Sequence, residues 1–251
     1  MTVVAGGSRI RDAYSGDEVA TQYVDRRFRD PIGEVLHAAQ ARFLLDVIRA
    51  ERPARVLEIA PGPARLSVET AAAIEGRMVL VDSSEAMLNE GRRRLAHRTR
   101  RRWDFVRGDA FALPVHGPFD LVYSFRLVRH FQQEDRQRLY GQVASALDRG
   151  GLFAFDAVNR TVAERVRAQG SVEQYPIYDA LLAPGQLQDE LDRAGFDLVS
   201  LCGVQKRYAV LFTLQVLVAP RSRRLALAAM RALERCPGGQ PLEWVVLCRK
   251  R

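Results

Sequence analysis

The chain has 251 residues, 47% of them hydrophobic, enough to bury one full core as a single domain; no run of eighteen apolar residues could span a bilayer. A formal net charge of +8 comes almost wholly from arginine, since Lys206 and Lys250 are the only lysines. Three scattered cysteines, Cys202, Cys236 and Cys248, fit neither a disulfide framework nor metal spacing, which points to a reducing cytoplasm and no bound metal.

The first residues, MTVVAGGSRIRDAYSGDE, lack an apolar core of signal-peptide length, which argues against secretion. Residues 1–50 read as a helical leader, with Leu36, Phe43, Leu44, Val47 and Ile48 at helical spacing. From 51 to 158, strand-like apolar runs alternate with helical periodicity. The strands are RVLEI (55–59), MVLVD (78–82), WDFVRGDA (103–110), FDLVYSF (119–125) and GGLFAFDAV (150–158). Helices are expected over about 64–75, from Ser84 onward with Ser83 or Ser84 as cap, and over about 134–147. A helix at 185–195 leads into FDLVSLCGV (196–204). EWVVLCRK (243–250), after the turn residues Pro237 to Pro241, is expected as an antiparallel last strand. Segments 159–184 and 205–240 break the alternation and read as covers over a substrate site. The expected fold is a doubly wound, Rossmann-like α/β sheet of seven strands, mostly parallel, with helical cover segments.

In such sheets ligands lie beyond the carboxyl ends of the strands, so those residues are the ones to read. The first strand ends in Glu58, followed by a turn of small residues, Ala60, Gly62 and Ala64, over which a ligand could lie close to the backbone. The second ends in Asp82, twenty-four residues on, suited to accept from the vicinal hydroxyls of a ribose. Asp109 follows the third strand, placed to accept from an exocyclic amine such as adenine's. Together they describe a nucleoside cradle. A dinucleotide would want a third glycine where Arg65 stands, and Glu58 would repel its pyrophosphate. The same carboxylate attracts an ammonium and tolerates a sulfonium, so charge favours S-adenosylmethionine.

These stretches resemble the motifs of class I S-adenosylmethionine-dependent methyltransferases: VLEIAPGPA the first, VLVDSSEAML the second and VRGDAFALP the third. FDLVYSFRLVRHF and LDRGGLFAF resemble the fourth and fifth, all in order over residues 54–158. The resemblance implies that Glu58 holds the amino end of the methionine moiety, with Ala60 and Gly62 along it. It implies Asp82 at the ribose, Ser83 and Met87 beside the adenine, Asp109 and Ala110 at the adenine, and Ser124 as backbone near the sulfonium. VATQYVDRRF (19–28) is similar to the family's segment that closes over the cofactor, which carries over Tyr23; Arg27 is added here as a partner for the methionyl carboxylate.

Methyl transfer is an in-line displacement that needs a nucleophile held in line, and a base only for a phenol or carbon acid. His130, after the fourth strand, and His37, on the leader, are the candidate catalytic groups; a hydrogen-bonded anchor is the competing reading of His130. Phe125, Tyr175, Tyr178 and Tyr208 fall in or near the covers and could flank an acceptor. The arginine runs at 91–95, 97–103 and 221–225 carry no interleaved aromatics for base stacking, and no Asn-Pro-Pro-Tyr-type signature is present. The expected activity is therefore methyl transfer to an O, N or C nucleophile of a small molecule. An RNA methyltransferase and a non-catalytic S-adenosylmethionine-binding protein are the alternatives, with a nicotinamide oxidoreductase behind them.

Overall fold

A computed structural model describes residues 16–98, 103–168 and 178–251. Two helices open the described chain, α1 (Asp17–Phe28) and α2 (Pro31–Glu51). Asp30 caps α2 by accepting from the Gly33 amide, and Pro31 occupies the first turn, where a missing N–H costs nothing. There follow β1 (Arg55–Ile59), α3 (Ser67–Thr70), β2 (Arg77–Asp82), α4 (Glu85–Ala96), β3 (Asp104–Arg107) and β4 (Phe119–Ser124). After a 3-10 turn at Val128–His130 come α5 (Gln133–Ala146), β5 (Leu147–Asn159), α6 (Arg160–Ala168) and the two-residue β6 (Leu181–Leu182). The chain ends with α7 (Pro184–Arg193), β7 (Phe196–Lys206), α8 (Tyr208–Thr213), a π-helical turn at Leu214–Val218, α9 (Arg223–Arg235) and β8 (Pro241–Lys250).

Seven strands run in the order β3-β2-β1-β4-β5-β8-β7, and β6 pairs with β5 off this path. Neighbours are parallel except that β8 runs antiparallel to both β5 and β7. The last strand is thus antiparallel, as its flanking turn implies, and it lies inside the sheet with β7 outside it. Strand order reverses between β1 and β4, so the crevice for a ligand opens beyond their carboxyl ends.

The period of two along each strand sorts its side chains into two cores. Leu57, Ile59, Val79, Val81, Val122, Phe153 and Phe155 pack on one face with Leu139, Tyr140 and Val143 of α5 and Leu187 and Leu191 of α7. Val56, Met78, Leu80, Leu121, Tyr123 and Ala154 pack on the other with Leu44 and Ile48 of α2. Burial on both faces explains why these strands read as nearly unbroken apolar runs. A third cluster, Ile32 and Val35 of α2 with Leu211 of α8 and Met230 of α9, seats these late helices against α2. Glu34 accepts from Arg223 at 2.6 Å and Arg231 at 2.7 Å across the same seam.

One expected element is much shorter than its sequence signal. In place of a helix over about 64–75, α3 has four residues. Ala60, Gly62 and Ala64 have φ of 54°, 54° and 55°, so the left-handed turn that begins before the expected helix reaches its first residue, and turn geometry returns at 71–73. The chain therefore spends these positions on a turn.

Candidate active site

That turn is the floor of a cleft. Left-handed backbone at alternate positions explains its small residues: glycine adopts such φ freely, and an alanine there pays roughly 1–2 kcal/mol. At Gly62 a Cβ would come no closer than 3.9 Å to Met87 Sδ, so conformation and not space is the local reason for glycine. The turn is tied into the sheet by the Ala60 amide, which donates to Val81 O at 2.8 Å.

Asp82 ends β2 at the centre of the cleft. Its Oδ2 accepts from the Gly62 amide at 3.0 Å and its Oδ1 from the Ser84 amide at 2.9 Å. Burial raises the carboxyl's pKa, and these main-chain donors, with that of Ser83, oppose the rise. Each carboxylate oxygen has a further lone pair for a ligand hydroxyl. Asp109 accepts from the Phe111 amide at 3.0 Å, which folds the loop after β3 into the opposite wall.

The cleft encloses about 840 Å³ of non-protein space, mouth included. Tyr23, Ala60, Gly62, Asp82, Ser83, Met87, Asp109 and Ala110 line it together, eight of the residues read from sequence. Phe125 and His130 line it too. Phe111, Arg126 and Phe131 complete the apolar and charged parts of the wall; only the position of Arg126, straight after the fourth strand, could have signalled it.

Four sequence candidates lie elsewhere. Glu58 is 3% exposed beneath the turn, accepting from the Ser67 hydroxyl beside Tyr123. Burial lifts its pKa to about 7 against the pull of Ser67, Tyr123 and Arg65. Ser124 is fully buried and donates to Ile59 O at 2.8 Å, tying β4 to β1. His37 meets Arg65 at 2.7 Å and Glu69 at 3.5 Å and faces an outer groove. Arg27 lines a second cavity. Tyr175 is outside the described residues, as is 99–102 of the second arginine run.

The second cavity, about 1020 Å³ with its mouth, shares Arg126 and His130 with the cleft. A buried ionic network forms the partition. Arg129 donates to both oxygens of Asp179 at 2.6 and 2.7 Å and to Glu243 at 2.6 Å. Arg126 donates through Nη1 to Glu243 at 2.8 and 3.0 Å, and its amide donates to Asp156 at 2.6 Å. Burial alone would raise Asp179 and Glu243, but the guanidiniums hold both below the usual carboxylate range. Asp156, fully buried, is raised by that burial against the pull of Arg126.

His130 sits at the junction. Its Nδ1 lies 2.9 Å from the Tyr178 carbonyl, which can only accept, so Nδ1 carries the proton and Nε2 of the neutral ring carries a lone pair. Burial pulls its pKa down to about 4, outweighing the carbonyl and Asp179. Among the described residues, no group of three or more His, Cys, Asp or Glu could hold a metal ion, and no helix is long and apolar enough to cross a membrane.

Residues 56–151 match the family described as a methyltransferase domain. Over 159 residues the chain is 30% identical to a ubiquinone/menaquinone biosynthesis C-methyltransferase from Methylobacterium nodulans, and the match spans 59% of this chain and 61% of that relative's length. The fold is similar to that of magnesium protoporphyrin IX methyltransferase from Synechocystis, solved with S-adenosylhomocysteine bound. That likeness has TM-score 0.69 and 13% identity, and covers 98% of this chain and 100% of the other. An S-adenosylmethionine-dependent methyltransferase from Clostridium acetobutylicum is similar at TM-score 0.65 and 12% identity, covering 92% and 97% of the two chains. These structural likenesses bear on the fold alone.

Proposed function

We propose that the chain transfers a methyl group from S-adenosylmethionine to an O, N or C nucleophile of a small molecule. The observation that carries this is the convergence of Gly62, Asp82, Met87 and Asp109 on one cleft at the reversal of strand order. The residues suit the cofactor. The turn presents bare backbone, Asp82 has lone pairs left for two ribose hydroxyls, and Asp109, Ala110 and Met87 flank the place for an adenine. When bound, S-adenosylmethionine supplies an electrophilic methyl carbon on a sulfonium.

The chain's own residues then have modest chemical work. Their main task is to hold the acceptor about 3 Å from that carbon, opposite the sulfur, and to exclude water. Arg126 and His130, shared by the two cavities, stand where donor and acceptor would meet. A ring with pKa about 4 is a weak base, so His130 is read as orienting an acceptor through Nε2. Glu58, buried under the turn, is read as supporting it, with any effect on the methionyl ammonium passing through the backbone. The size of the second cavity and the pairing of many surface arginines with acids favour a small acceptor over RNA. A reducing, cytoplasmic setting goes with this reading, because all three cysteines are free thiols.

The test is a mass-resolved screen of a metabolite library with S-adenosylmethionine and the purified chain. The expected result is an acceptor that gains one methylene as S-adenosylhomocysteine forms in equal amount. Binding of S-adenosylhomocysteine with no methylated product from any acceptor would instead indicate a binding protein.

A further inference from the structure

Three features of the second cavity say what it is built to hold. Gln205, at the end of β7, is 4% exposed and has φ of 54°, yet it lines the cavity. Its amide N–H is fixed by Glu234 at 3.1 Å, but its side-chain Oε1 has no hydrogen-bond partner among the described residues. A buried carboxamide left unsatisfied is costly, and a ligand that bonds it recovers that cost.

Arg126 is the second. Only Nη1 of its guanidinium donates to a protein acceptor among the described residues, leaving Nε and Nη2 available. Its backbone stands at φ of 65°, held there by Asp156, so the residue is fixed in a conformation that a non-glycine residue adopts at a cost.

The third is the charge balance. Arg27, Arg126, Arg129 and Arg167 line the cavity with Asp30, Asp179 and Glu243. Asp179 already accepts from Arg129 and Arg167, Glu243 from Arg126 and Arg129, and Asp30 caps α2. A cationic guest would find these carboxylates engaged, whereas an anionic one finds an incompletely used guanidinium. The rest of the wall, with Ile32, Leu36, Val158, Val166 and Leu242, is apolar.

We infer that the second cavity is the acceptor site and takes a small amphipathic carboxylate, its anionic group on Arg126, its apolar body along the α2 wall and a polar group on the Gln205 carboxamide. This deepens the methyl-transfer reading and rests on it only for the word acceptor. The clamp is expected to discriminate, because a planar guanidinium matches a carboxylate in charge and geometry and a neutral amide only in part.

The experiment is calorimetry of the intact protein with benzoate, 4-hydroxybenzoate, indole-3-acetate and octanoate, each against its primary amide. S-adenosylhomocysteine is titrated separately. At least one carboxylate should bind about tenfold or more tightly than its amide. Arg126→Gln should abolish that preference, and Arg126→Lys should keep part of it. Gln205→Leu, which lies away from the nucleoside cleft, should weaken the carboxylate about tenfold with S-adenosylhomocysteine affinity unchanged. Equal binding of acid and amide throughout the series, or no binding by any carboxylate, would overturn the inference even if a variant failed to fold. Failure of S-adenosylhomocysteine to bind the wild type would strike the donor-cleft reading alone.

Discussion

Glu58 shows how far a side chain's surroundings can depart from its place in a motif. The acid at the end of β1 could be read from sequence, but its direction could not, because Ser67 and Tyr123, which surround it, are nine and sixty-five residues away. Folding raises its pKa from an ordinary 4.5 to about 7, so the folded state holds the proton more tightly than the unfolded. Its contribution to stability is present below pH 4.5 and is lost as pH rises through 7. Glu58→Gln should therefore gain on the wild type over that interval, read as a difference in denaturant midpoint at a series of pH values. A difference that stays flat from pH 4.5 to 7 would contradict the buried environment. His130 has the opposite sign, since burial lowers it from 6.5 to about 4 and its stabilising contribution is lost as pH falls through that window. If it orients and does not abstract, His130→Gln should retain turnover with no limb of the rate profile removed between pH 5 and 8. Complete loss of turnover in a folded variant would make it the base.

Among the elements, the turn after β1 is where pattern and geometry parted. Ser67, Val68, Ala71 and Ile74 carry helical spacing, and it was legible, but the left-handed turn at Ala60 and Gly62 extends through Ala64, the first residue of the expected helix. Nothing in spacing alone reveals backbone hand. Gly62→Ala should cost about 1–2 kcal/mol in chemical denaturation, from the left-handed penalty with no clash, and Gly62→Val more. An unchanged midpoint for both would mean that the turn does not require φ of 54°. The parallel strands, by contrast, were legible because Val79 and Leu80 are buried on opposite faces and leave no polar alternation to confuse. Glu34 bridges α2 and α9, but with all three partners partly exposed. Glu34→Gln should therefore cost no more than about 1 kcal/mol, and a larger loss would show α9 to be held mainly by these ions.

For the whole molecule, the decisive fact is topological: reversal of strand order between β1 and β4 puts Gly62, Asp82, Asp109 and Arg126 around one opening although they are distant in sequence. That Gly62, Asp82 and Asp109 would line one cleft was legible because they follow closely on strand ends. The second cavity was not, since Arg126, Gln205 and Glu243 meet only through the pairing of β8 with β5 and β7. A ligand bound only by the folded state should stabilise it by about 2.7 kcal/mol at a hundred times its dissociation constant, and S-adenosylhomocysteine should do so here. The most direct measurement is calorimetric titration of S-adenosylhomocysteine and NAD into the wild type and Asp82→Ala. S-adenosylhomocysteine should bind the wild type and NAD should not, and Asp82→Ala should lose about 1–3 kcal/mol of that binding, because the ribose hydroxyls lose their acceptor. An Asp82→Ala protein that binds S-adenosylhomocysteine as tightly as the wild type, or a wild type that prefers NAD, would contradict the account.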